Sequence, residues 1–568
     1  MIDLIQIILF IAPNCTYEER FRKMESLIHK TDSAYSYPLL IKNLLFQPIA
    51  YNPDQEIVYK DVCRIKYSTL RERIAKLSGA LTDLGIKRGD TVAFMDFDSH
   101  RYLEAFYAVP MMGAVLHTIN VRLSAEQMIY TINHAEDDVI FINADLIPLL
   151  EQIRGKLDTV KKIILMSDTE YKGTSHIQFD GEYEDLLSKA EPVKEYPVFD
   201  ENTRATTFYT TGTTGLPKGV YYSHRQLVLH SLATLATLAT APHASFNRED
   251  VYMPITPMFH VHAWGIPYIA TMLGVKQVYP GRYSADILIK LMSEEKVTFS
   301  HCVPTILHML LKDKDAGKVN FKGWKALIGG AALPRALCLE AMSLGIDIVA
   351  GYGMSETCPI LSLSHLTPEE LLLSDEKQAE IRCRTGVPIA LAEIKVVDDN
   401  SNEVKPDDKS PGEITVRSPW LTQGYLKDTA NSEKLWHGGW LHTNDVACTN
   451  TKSSLRIVDR LKDVIKIGGE WVSSLEMEDI VMHHPAVSEA ALIGQTDPRW
   501  GEIPLALVVL KPNAQVTEKE IYNFVKGYID KGVLTKEAVL LKVKFIDSID
   551  KTSVGKINKL ALREKYSA

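Results

Sequence analysis

Short apolar runs alternate with helical patterns between residues 90 and 170, and this alternation constrains the fold more than any other feature of the chain. Four runs have the length of buried strands: "TVAFMDF", "AVLHTI", "DVIFINA" and "KKIILMS". Two helical patterns are interspersed: "RYLEAFYAVPMM" and "AEQMIYTINHAE". Strands that alternate with helices favour a largely parallel sheet. We therefore predict a layered α/β core.

The alternation returns in the middle of the chain, where predicted strands run into glycine-rich turns. It is visible in "KVTFSHCVP", "KALIGGAALP" and "IDIVAGYG". Ligands of open α/β sheets bind at the turns that follow the strands. We therefore expect active-site loops at these turns.

Beyond about residue 460 the pattern changes to that of a small, separate α+β domain. It predicts helices near "SLEMEDIVMHH" and over residues 517–529, and strands at "EAALIG", "PLALVVL" and "AVLLKVKFID". The second helix opens with Thr517 and Glu520 at capping-box spacing. One apolar stripe follows on that helix: Ile521, Phe524, Val525 and Tyr528. The polar stretch 398–412 is predicted to be surface turn material.

Composition indicates an ordinary globular protein and argues against nucleic acid as a partner. A chain of 568 residues is too long for one core, so about two to four structural units are expected. The net charge is −9, the pI is about 6.0, and no block of five like charges occurs. A nucleic-acid binder would show a basic patch or stripe instead.

The cysteines and the apolar segments favour a cytoplasmic protein without a transmembrane segment. The seven cysteines are scattered and never form CxxC, which is typical of free thiols in a reducing compartment. The N-terminal "MIDLIQIILFIAPNC" lacks a basic region and an A-x-A site, so we interpret it as a short apolar arm rather than a signal peptide. The longest span without charged residues, 251–275, contains three prolines and two histidines, which favours buried interior.

The stretch "YTTGTTGLPKGV", residues 209–220, has the composition of a phosphate-binding loop. It offers hydroxyls, bare backbone amides and one cation, Lys218. A Walker A loop is excluded, because the second glycine of that motif would fall on Pro217 and Lys218 is followed by Gly219. Taken alone, the stretch could equally be a Ser/Thr/Gly surface loop.

A second stretch, "AGYGMSETCP" at residues 350–359, combines an aromatic ring, a hydroxyl and an acid. A carboxylate beside a polyphosphate needs a cation between them, so Glu356 with a loop hydroxyl indicates a Mg²⁺ bridge. The alternative is a solvated glutamate at a helix start. Three more stretches stand out: "GGWLHTNDVA" with Asp445, "DRLKDVIKIGGEWVSS" at 459–474, and "KTSVGKINKLALR" with Lys556. Taken alone, each lysine in these stretches would be interpreted as a solvated surface charge.

Together these five stretches, in this order, resemble the adenylate-forming superfamily of acyl-CoA synthetases, luciferases and peptide-synthetase adenylation domains. The resemblance runs from about residue 40 to the end. The stretch "TPMFHVHAWGIPYIATMLGVKQVYPGRY" is similar to the medium- and long-chain fatty acyl-CoA synthetases, in which the equivalent of Trp264 gates the acyl tunnel. Apolar residues around Trp264 suit an apolar chain, although a plain core would look the same.

The resemblance implies an AMP-forming acyl-CoA synthetase with Mg²⁺ as cofactor and ATP and CoA as co-substrates. The acid attacks the α-phosphate of ATP, and the acyl-adenylate is then taken by the thiol of CoA. Three alternatives stay open: another acid (short-chain, hydroxy or aryl), a carrier-protein thiol as acceptor, or a non-catalytic acyl or nucleotide sensor. The resemblance also favours a homodimer, and residues 1–38 have no counterpart in the family.

The resemblance assigns residues to the nucleotide site. Thr210 and Glu356 ligate Mg²⁺, and Ser355 touches the α-phosphate. The phosphate loop contains Thr210, Thr211, Gly212, Thr213, Thr214, Gly215 and Lys218. The adenine slot contains Gly329, Gly330, Ala331, Gly351 and Tyr352, with the tyrosine ring stacked on the base. Gly353 and His260 also belong to the ATP/AMP-binding residues. Asp445 accepts from the ribose hydroxyls, Arg460 lies near the same sugar, and Lys462 and Lys466 complete the nucleotide set.

The resemblance also implies two half-reactions served by one mobile domain. Lys556, His260 and Glu356 are the catalytic residues, with Lys556 bridging the acid and the α-phosphate. Gly468 and Gly469 lie on the CoA side. Residues 1–458 form the N-terminal adenylate-forming lobe and residues 459–568 the mobile C-terminal domain, which rotates about a hinge at Asp459.

Two positions refine the substrate and the ribose site. On a strand, His260 and His262 would share a face, but two imidazoles without a third ligand make a weak metal site. We expect His260 beside the acyl carboxylate and His262 in the core. In amino-acid-activating relatives the position of His260 is an Asp that pairs with the substrate ammonium group. Because this chain has no such anion there, we predict a substrate acid without an α-amino group. The family's Thr-Gly-Asp reads Thr443, Asn444, Asp445 here, and asparagine tolerates the positive φ that the turn needs.

Overall fold

The computed structural model describes residues 28–210, 216–468, 470–551 and 557–566. The chain divides into two compact units, residues 1–38 and 39–568. In the first unit, residues 28–38 contain no helix or strand, and the rings of Tyr35 and Tyr37 meet edge-on with centroids 5.9 Å apart. The predicted apolar arm, residues 1–15, lies outside the described residues.

A seven-stranded sheet forms the first layer of the N-terminal lobe. Its strands, in spatial order, are Gly181–Glu182, Lys162–Met166, Asp137–Asn143, Thr91–Met95, Val115–Thr118, Arg204–Tyr209 and Gly219–Ser223. All neighbours pair in parallel except the last two, which form an antiparallel hairpin. Helices His100–Met111 and Ala125–Ala135 connect strands of this sheet. The predicted alternation between residues 90 and 170 is thus confirmed.

A nine-stranded sheet forms the second layer. Its strands, in spatial order, are Val387–Pro388, Ile360–Leu363, Asp347–Gly353, Lys325–Ile328, Phe299–Cys302, Val251–Pro254, Lys276–Tyr279, Glu56–Tyr59 and Cys63–Lys66. The six central strands are parallel and the edges are antiparallel. The charge-free span 251–275 supplies one strand and the helix Ile266–Leu273, and it is largely buried as predicted.

One apolar core contains residues of both sheets, for example Phe94 of the first and Tyr59 of the second. Helix His100–Met111 is buried along its whole length, and Phe106 on it stacks on Tyr268 with ring centroids 5.3 Å apart. Other helices of the lobe are Phe46–Tyr51, Tyr67–Asp83, Ile147–Ile153, Tyr183–Lys189, His224–Thr240, Ala285–Glu295, Pro304–Lys312, Arg335–Ser343, Asp375–Arg382 and Thr429–Leu435. Among the described residues, no helix combines the length and apolarity that crossing a bilayer requires.

A third, antiparallel sheet completes the lobe. Its strands are Glu393–Val397, Gly412–Arg417, Trp436–His437, Trp440–Thr449 and Leu455–Arg460. The polar stretch 398–412 joins the first two strands and is largely exposed, as predicted. This sheet carries Asp445 and Arg460 opposite each other on neighbouring strands.

The C-terminal domain has a five-stranded sheet and apolar cores of its own. Its strands are Ile465–Ile467, Glu470–Val472, Val487–Asp497, Gly501–Leu510 and Lys542–Phe545; its helices are Ser474–Met482, Glu518–Asp530 and Lys559–Tyr566. The capping box of Thr517 and Glu520 is present. The prediction of a strand over the whole of "AVLLKVKFID" is wrong in part. Lys536–Leu540 forms a 3₁₀ helix, and only the four residues Lys542–Phe545 pair, in parallel, with the strand Gly501–Leu510.

Candidate active site

The threonine-rich segment is the loop of the antiparallel hairpin at the edge of the first sheet. Tyr209 lies opposite Gly219, so the two strands converge on this loop. The backbone N–H of Thr210 donates to the carbonyl of Lys218 over 3.0 Å, and the N–H of Lys218 donates to Thr210 Oγ1 over 3.2 Å. The base of the loop is therefore closed. Five predicted phosphate-site residues lie outside the described residues: Thr211, Gly212, Thr213, Thr214 and Gly215.

Glu356 lies buried in the 3₁₀ helix Ser355–Thr357 and is joined to the hairpin through a tyrosine. Only 7% of Glu356 is exposed, so the alternative of a solvated helix start is wrong. The hydroxyl of Tyr425 donates to Glu356 Oε1 over 2.7 Å, and Lys218 Nζ lies 4.5 Å from the centroid of the Tyr425 ring. Lys218, Tyr425 and Glu356 thus form one contiguous cluster.

Burial raises the pKa of Glu356, while the hydrogen bond from Tyr425 and the positive charges of Lys218 and Arg460 oppose that rise. A cation beside this carboxylate would favour its ionised form further. Sequence reasoning missed Tyr425, which lies 69 positions from Glu356 in the chain. A hydrogen bond over that separation leaves no local signal.

A second hydrogen bond joins the hairpin to the same turn. The hydroxyl of Tyr222, on the strand Gly219–Ser223, donates to the carbonyl of Ser355 over 2.6 Å. The predicted α-phosphate residue is therefore held against the strand that leaves the phosphate loop. The two stretches that the sequence analysis singled out first are neighbours in the fold.

The predicted adenine loop touches the predicted acyl gate. A Cβ at Gly329 would lie 3.0 Å from Cη2 of Trp264 and 3.2 Å from the carbonyl oxygen of Gly351, so a larger residue would fit only if these neighbours moved by a few tenths of an ångström. Gly330 has φ of 78°, which favours glycine, and Ala331 follows it in the same loop. Gly353 ends the neighbouring strand against the backbone of Pro359. The residues predicted for the nucleotide and those predicted for the acyl chain are therefore in contact.

The predicted ribose residues also lie together. The hydroxyl of Tyr352 donates to Asp445 Oδ2 over 2.8 Å, and Arg460 Nε lies 3.4 Å from Asp445 Oδ1. Asn444 has φ of 57°, so the prediction that asparagine adopts the positive φ of this turn is confirmed. Burial and the neighbouring Asp445 carboxylate raise the pKa of Tyr352 well above its ordinary value, so its hydroxyl stays a donor.

The expectation that His260 and His262 share a strand face is wrong. Val261, His262, Ala263, Trp264 and Gly265 all have positive φ and form a left-handed turn. His262 is fully buried between aromatic rings, with its own ring centroid 5.3 Å from that of Phe208. Burial lowers the pKa of His262 to about 3. His260 precedes the turn and is only partly buried.

Several predicted residues belong to the C-terminal region. Gly468, with φ of 59°, begins the turn between strands Ile465–Ile467 and Glu470–Val472, and its N–H donates to the carbonyl of Trp500 over 2.8 Å. Lys466 Nζ lies 5.1 Å from the ring centroid of Trp471. Burial lowers the pKa of Lys462. Lys556 and Gly469 lie outside the described residues.

The parts of the chain that the structure describes contain no group of three or more His, Cys, Asp or Glu side chains that could hold a metal ion. At nucleotide sites Mg²⁺ is commonly held by one or two protein oxygens together with phosphates and water. The hydroxyl of Thr210 and the carboxylate of Glu356 are hard oxygen donors of that kind.

The chain has a layered α/β lobe with a glycine-rich loop, followed by a small α+β domain. Within the lobe, the hairpin that carries the threonine-rich segment is tied to the buried acid Glu356. Together these features define an adenylate-forming enzyme. Residues 45–426 match the family described as AMP-binding enzyme, and residues 476–556 match the AMP-binding enzyme C-terminal domain. The chain belongs to the AMP-binding enzyme family.

Three relatives resemble this chain over almost their whole length. The long-chain-fatty-acid–CoA ligase of Thermus thermophilus is 40% identical over 89% of this chain and 91% of the relative. The 3-methylmercaptopropionyl-CoA ligase of Ruegeria lacuscaerulensis is 36% identical over 93% and 97%. The medium-chain-fatty-acid–CoA ligase of Ectopseudomonas oleovorans is 33% identical over 93% and 96%.

Solved structures share the fold. The fatty acyl CoA synthetase of Mycobacterium tuberculosis superposes with a TM-score of 0.68 at 26% identity, over 93% of this chain and 98% of that chain. ATP-bound MatB of Rhodopseudomonas palustris gives a TM-score of 0.78 at 21% identity, over 94% and 99%.

Proposed function

We propose that this protein is an ATP-dependent, AMP-forming acyl-CoA synthetase that activates a fatty acid as its acyl-adenylate and transfers the acyl group to CoA. One observation carries the proposal: Tyr425 joins the phosphate-loop lysine, Lys218, to the buried acid Glu356. A lysine and a carboxylate held this way beside a hydroxyl-rich loop suit a polyphosphate and its counter-cation. Relatives named as long- and medium-chain fatty-acid ligases support a fatty acid as the substrate.

The adenylation step requires positive charge, because a carboxylate must approach the α-phosphate of ATP. Repulsion between the two anions amounts to several kcal/mol in a partly dry site. Lys218 lies at the base of the phosphate loop, and Lys556 is the cation proposed to bridge the acid and the α-phosphate. Mg²⁺, held by Thr210 and Glu356, would neutralise phosphate charge.

The nucleoside is proposed to bind between the glycine loop and the third sheet. Gly329, Gly330 and Ala331 border the adenine on one side, and Tyr352 borders it on the other. Asp445 accepts hydrogen bonds from the ribose hydroxyls, beside Arg460. Because Tyr352 donates to Asp445, one carboxylate oxygen is held in place and the other faces Arg460 at 3.4 Å.

The acid is proposed to lie along Trp264 with its carboxylate near His260. Trp264 is 6% exposed, and its ring lies against Gly329 and Gly330, so the acyl chain and the adenine would share this residue as a boundary. Each methylene that such a surface buries adds roughly 0.8 kcal/mol. A second candidate substrate is a short-chain acid, which the 36% identity to a 3-methylmercaptopropionyl-CoA ligase favours.

The two half-reactions are proposed to use two orientations of the C-terminal domain. Lys556 serves adenylation, whereas Gly468 and Gly469 serve the thiol step. The hinge is proposed at Asp459, with residues 1–458 as the lobe and 459–568 as the moving domain. We also propose a cytoplasmic homodimer; the six cysteines among the described residues are all free thiols, as a reducing compartment requires.

The experiment is ATP–pyrophosphate exchange across a panel of acids, followed by detection of acyl-CoA. The panel covers straight-chain acids from two to eighteen carbons, 3-(methylthio)propionate, and hydroxy and aryl acids. We expect exchange with medium- or long-chain acids and AMP and acyl-CoA in equal amounts. Exchange without a thioester would indicate another acceptor, and no exchange with any acid would favour a sensor.

The proposed catalytic lysine is tested in the same assay. Replacing Lys556 with alanine is expected to lower exchange by about 100-fold, the scale of a lost electrostatic group. Thioester formation from supplied acyl-adenylate should change far less. Undiminished AMP release by this variant would contradict the proposed role.

A further inference from the structure

The turn that presents His260 is held in place by Asp98, a buried acid without an assigned role. The turn begins at Pro257 and is closed by the His260 N–H, which donates to the carbonyl of Pro257 over 2.9 Å. It follows the strand Val251–Pro254 of the nine-stranded sheet. Because His260 is proposed to lie beside the acyl carboxylate, its placement depends on what holds residues 257–259.

Two side chains at the carboxyl edge of the seven-stranded sheet hold this turn. The N–H of Met258 donates to Asp98 Oδ1 over 2.7 Å, and the hydroxyl of Thr118 donates to the carbonyl of Phe259 over 3.1 Å. Asp98 follows the strand Thr91–Met95, and Thr118 ends the neighbouring parallel strand. The turn is therefore tied to the carboxyl ends of two adjacent strands.

Asp98 also joins the turn to a third segment. Its carbonyl accepts from the N–H of Gly281 over 2.7 Å, and the two residues form an isolated antiparallel bridge. Gly281 follows the strand Lys276–Tyr279 of the nine-stranded sheet. Asp98 is 1% exposed and Met258 is fully buried, so both bonds lie away from solvent. One residue thus links both sheets next to the turn that presents His260.

The second carboxyl oxygen of Asp98 indicates which charge state the site accommodates. This Oδ2 is buried and has no hydrogen-bond partner among the described residues. By contrast, Asp96 accepts from the Ser99 hydroxyl over 2.6 Å, from Asn143 Nδ2 over 2.7 Å and from a backbone N–H. Donors stabilise the charged form of a carboxyl group, and burial penalises it. Negative charge is thus better supported at Asp96 than at Asp98, and a neutral carboxyl group fits the Asp98 site.

Two arginines border a cleft beside Asp98. The guanidinium of Arg122 lies 5.9 Å from the ring centroid of Phe259, and that of Arg282 lies 5.9 Å from the ring centroid of Phe97. All five residues line this cleft, which has a volume of about 320 Å³. Both arginines are exposed, so water and salt weaken their attraction for a carboxylate at Asp98.

The titratable groups around Asp98 leave it neutral at pH 7. Burial raises the pKa of Asp98 to about 8; the Met258 N–H and the charge of Arg122 oppose that rise, and Asp96 adds to it. The other titratable groups on which the Asp98 charge acts are tyrosines of the neighbouring helix, strands and loop: Tyr102, Tyr252, Tyr279 and Tyr283. Burial raises the pKa of each tyrosine, so all four stay neutral over the same range.

We propose that Asp98 is a positioning residue that fixes the turn before His260 for adenylation of the acid. It acts through the turn and not by touching the acid or ATP. A neutral carboxyl group accepts from the Met258 N–H without placing a charge in the core. An ionised one is repelled by Asp96 and drawn toward Arg122 in the cleft, which weakens the tie to the turn. This inference rests on the proposed function and on the proposed place of His260.

The test compares Asp98→Asn with Asp98→Leu in ATP–pyrophosphate exchange from about pH 6 to pH 10, on both sides of the Asp98 pKa. Asparagine keeps an oxygen for the Met258 N–H and cannot ionise, whereas leucine has a similar size and no acceptor. The control is Asp250→Asn. Asp250 is a buried acid just before the strand Val251–Pro254, and it pairs with Lys325 over 2.8 Å. Exchange requires no CoA, so the thiol does not contribute to the pH profile.

The expected result is a change in the pH profile. In the wild type, kcat/KM for the acid should fall by about tenfold per pH unit above about pH 8, and Asp98→Asn should lack this fall. At pH 7 Asp98→Asn should stay within about 3-fold of the wild type. Asp98→Leu should lose about 10- to 100-fold, with KM for ATP changed less than about 3-fold. Asp250→Asn should keep the wild-type profile.

Two outcomes would overturn the proposal. One is a fall above pH 8 that persists in Asp98→Asn. The other is a loss of more than about tenfold in Asp98→Asn at pH 7, because it would show that the carboxylate charge itself is needed.

A second variant tests the same turn without changing Asp98, and it keeps the test decisive if Asp98→Leu does not fold. Thr118→Val removes the bond to the Phe259 carbonyl. It should lower kcat/KM for the acid by about 2- to 10-fold, the cost of one neutral hydrogen bond, and keep the fall above pH 8. An unchanged kcat/KM would show that the attachment of the turn does not matter and would contradict the inference.

Failure of this inference is distinguishable from failure of the proposed function. A wild-type protein that exchanges pyrophosphate with no acid at any pH would contradict the proposed function. A wild-type protein that does exchange, together with an Asp98→Asn variant that retains the alkaline fall, would contradict only the role of Asp98.

Discussion

At the scale of single residues, Tyr425 has the most specific role in the site. Its hydroxyl donates to Glu356 Oε1, and its ring lies under Lys218 Nζ. The two interactions use different parts of one side chain. They can therefore be separated by substitution.

Replacing Tyr425 with phenylalanine should remove the hydrogen bond to Glu356 and keep the ring. A hydrogen bond to a charged group contributes about 1.5–3 kcal/mol, so kcat/KM for adenylation is expected to fall by about 10- to 150-fold. The pKa of Glu356 should rise further, which would increase the Mg²⁺ concentration needed for half-maximal exchange. The measurement is exchange as a function of Mg²⁺ concentration.

The matched control for that prediction is Tyr222→Phe. This substitution removes a hydroxyl that donates to the carbonyl of Ser355 rather than to a carboxylate. Its effect on the Mg²⁺ dependence should be small. A shift of the same size in both variants would argue against a specific role for Tyr425.

At the scale of elements, the left-handed turn from Val261 to Gly265 is the feature that most affects the proposed acyl site. Five consecutive residues have positive φ, although only the last is glycine. Each non-glycine residue in this region costs about 1–2 kcal/mol, so the surrounding packing must hold the turn. The turn places the indole of Trp264 against Gly329 and Gly330, which are proposed to border the adenine.

Gly265→Ala is expected to destabilise the N-terminal lobe by about 2–4 kcal/mol, because strain and crowding add. Gly265 has φ of +73°, and a Cβ there would lie 2.9 Å from His230 Nδ1. The control is Gly85→Ala, where φ is +85° and no atom lies within 4 Å of the added Cβ, so only about 1–2 kcal/mol of strain applies. Urea unfolding followed by tryptophan fluorescence measures both. Equal losses would show that the approach of His230 does not matter.

At the scale of the whole molecule, four buried histidines make stability depend on pH. Burial lowers the pKa of His224, His230, His262 and His301 to about 3 each. The unfolded chain binds these protons near pH 6.5, so it takes up more protons than the folded chain below that pH. Stability from these groups is therefore complete above about pH 6.5 and is lost as the pH falls toward 3.

The free energy of unfolding is expected to fall by up to about 5 kcal/mol per pH unit from these four groups, at about 1.4 kcal/mol for each histidine. Burial raises the pKa of Asp98 to about 8. This carboxyl group therefore stabilises the folded state at low pH, and its contribution to the free energy of unfolding is lost as the pH rises from about 4 to 8. Equilibrium unfolding between pH 4 and 7 measures the net slope. His262→Leu should reduce it by about 1.4 kcal/mol per pH unit, and an unchanged slope would contradict a depressed pKa at His262.

Local patterns in the sequence predicted much of the fold. The alternation over residues 90–170, the capping box at Thr517 and the positive φ of Asn444 all depend on a few neighbouring residues. Hydrophobic periodicity, side-chain capping and backbone preference act over one or two turns, so they can be read along the chain. The motifs that indicate an adenylate-forming enzyme are also contiguous.

What only the tertiary structure decided is which distant residues meet. The bond from Tyr425 to Glu356 spans 69 positions, and the one from Lys559 to Ser474 spans 85. The left-handed turn at His262 contradicts local preference and persists because aromatic packing surrounds it. Motifs and their spacing indicated the class of chemistry. Tertiary packing decided which distant side chains lie against the proposed site residues, since such contacts have no period along the chain.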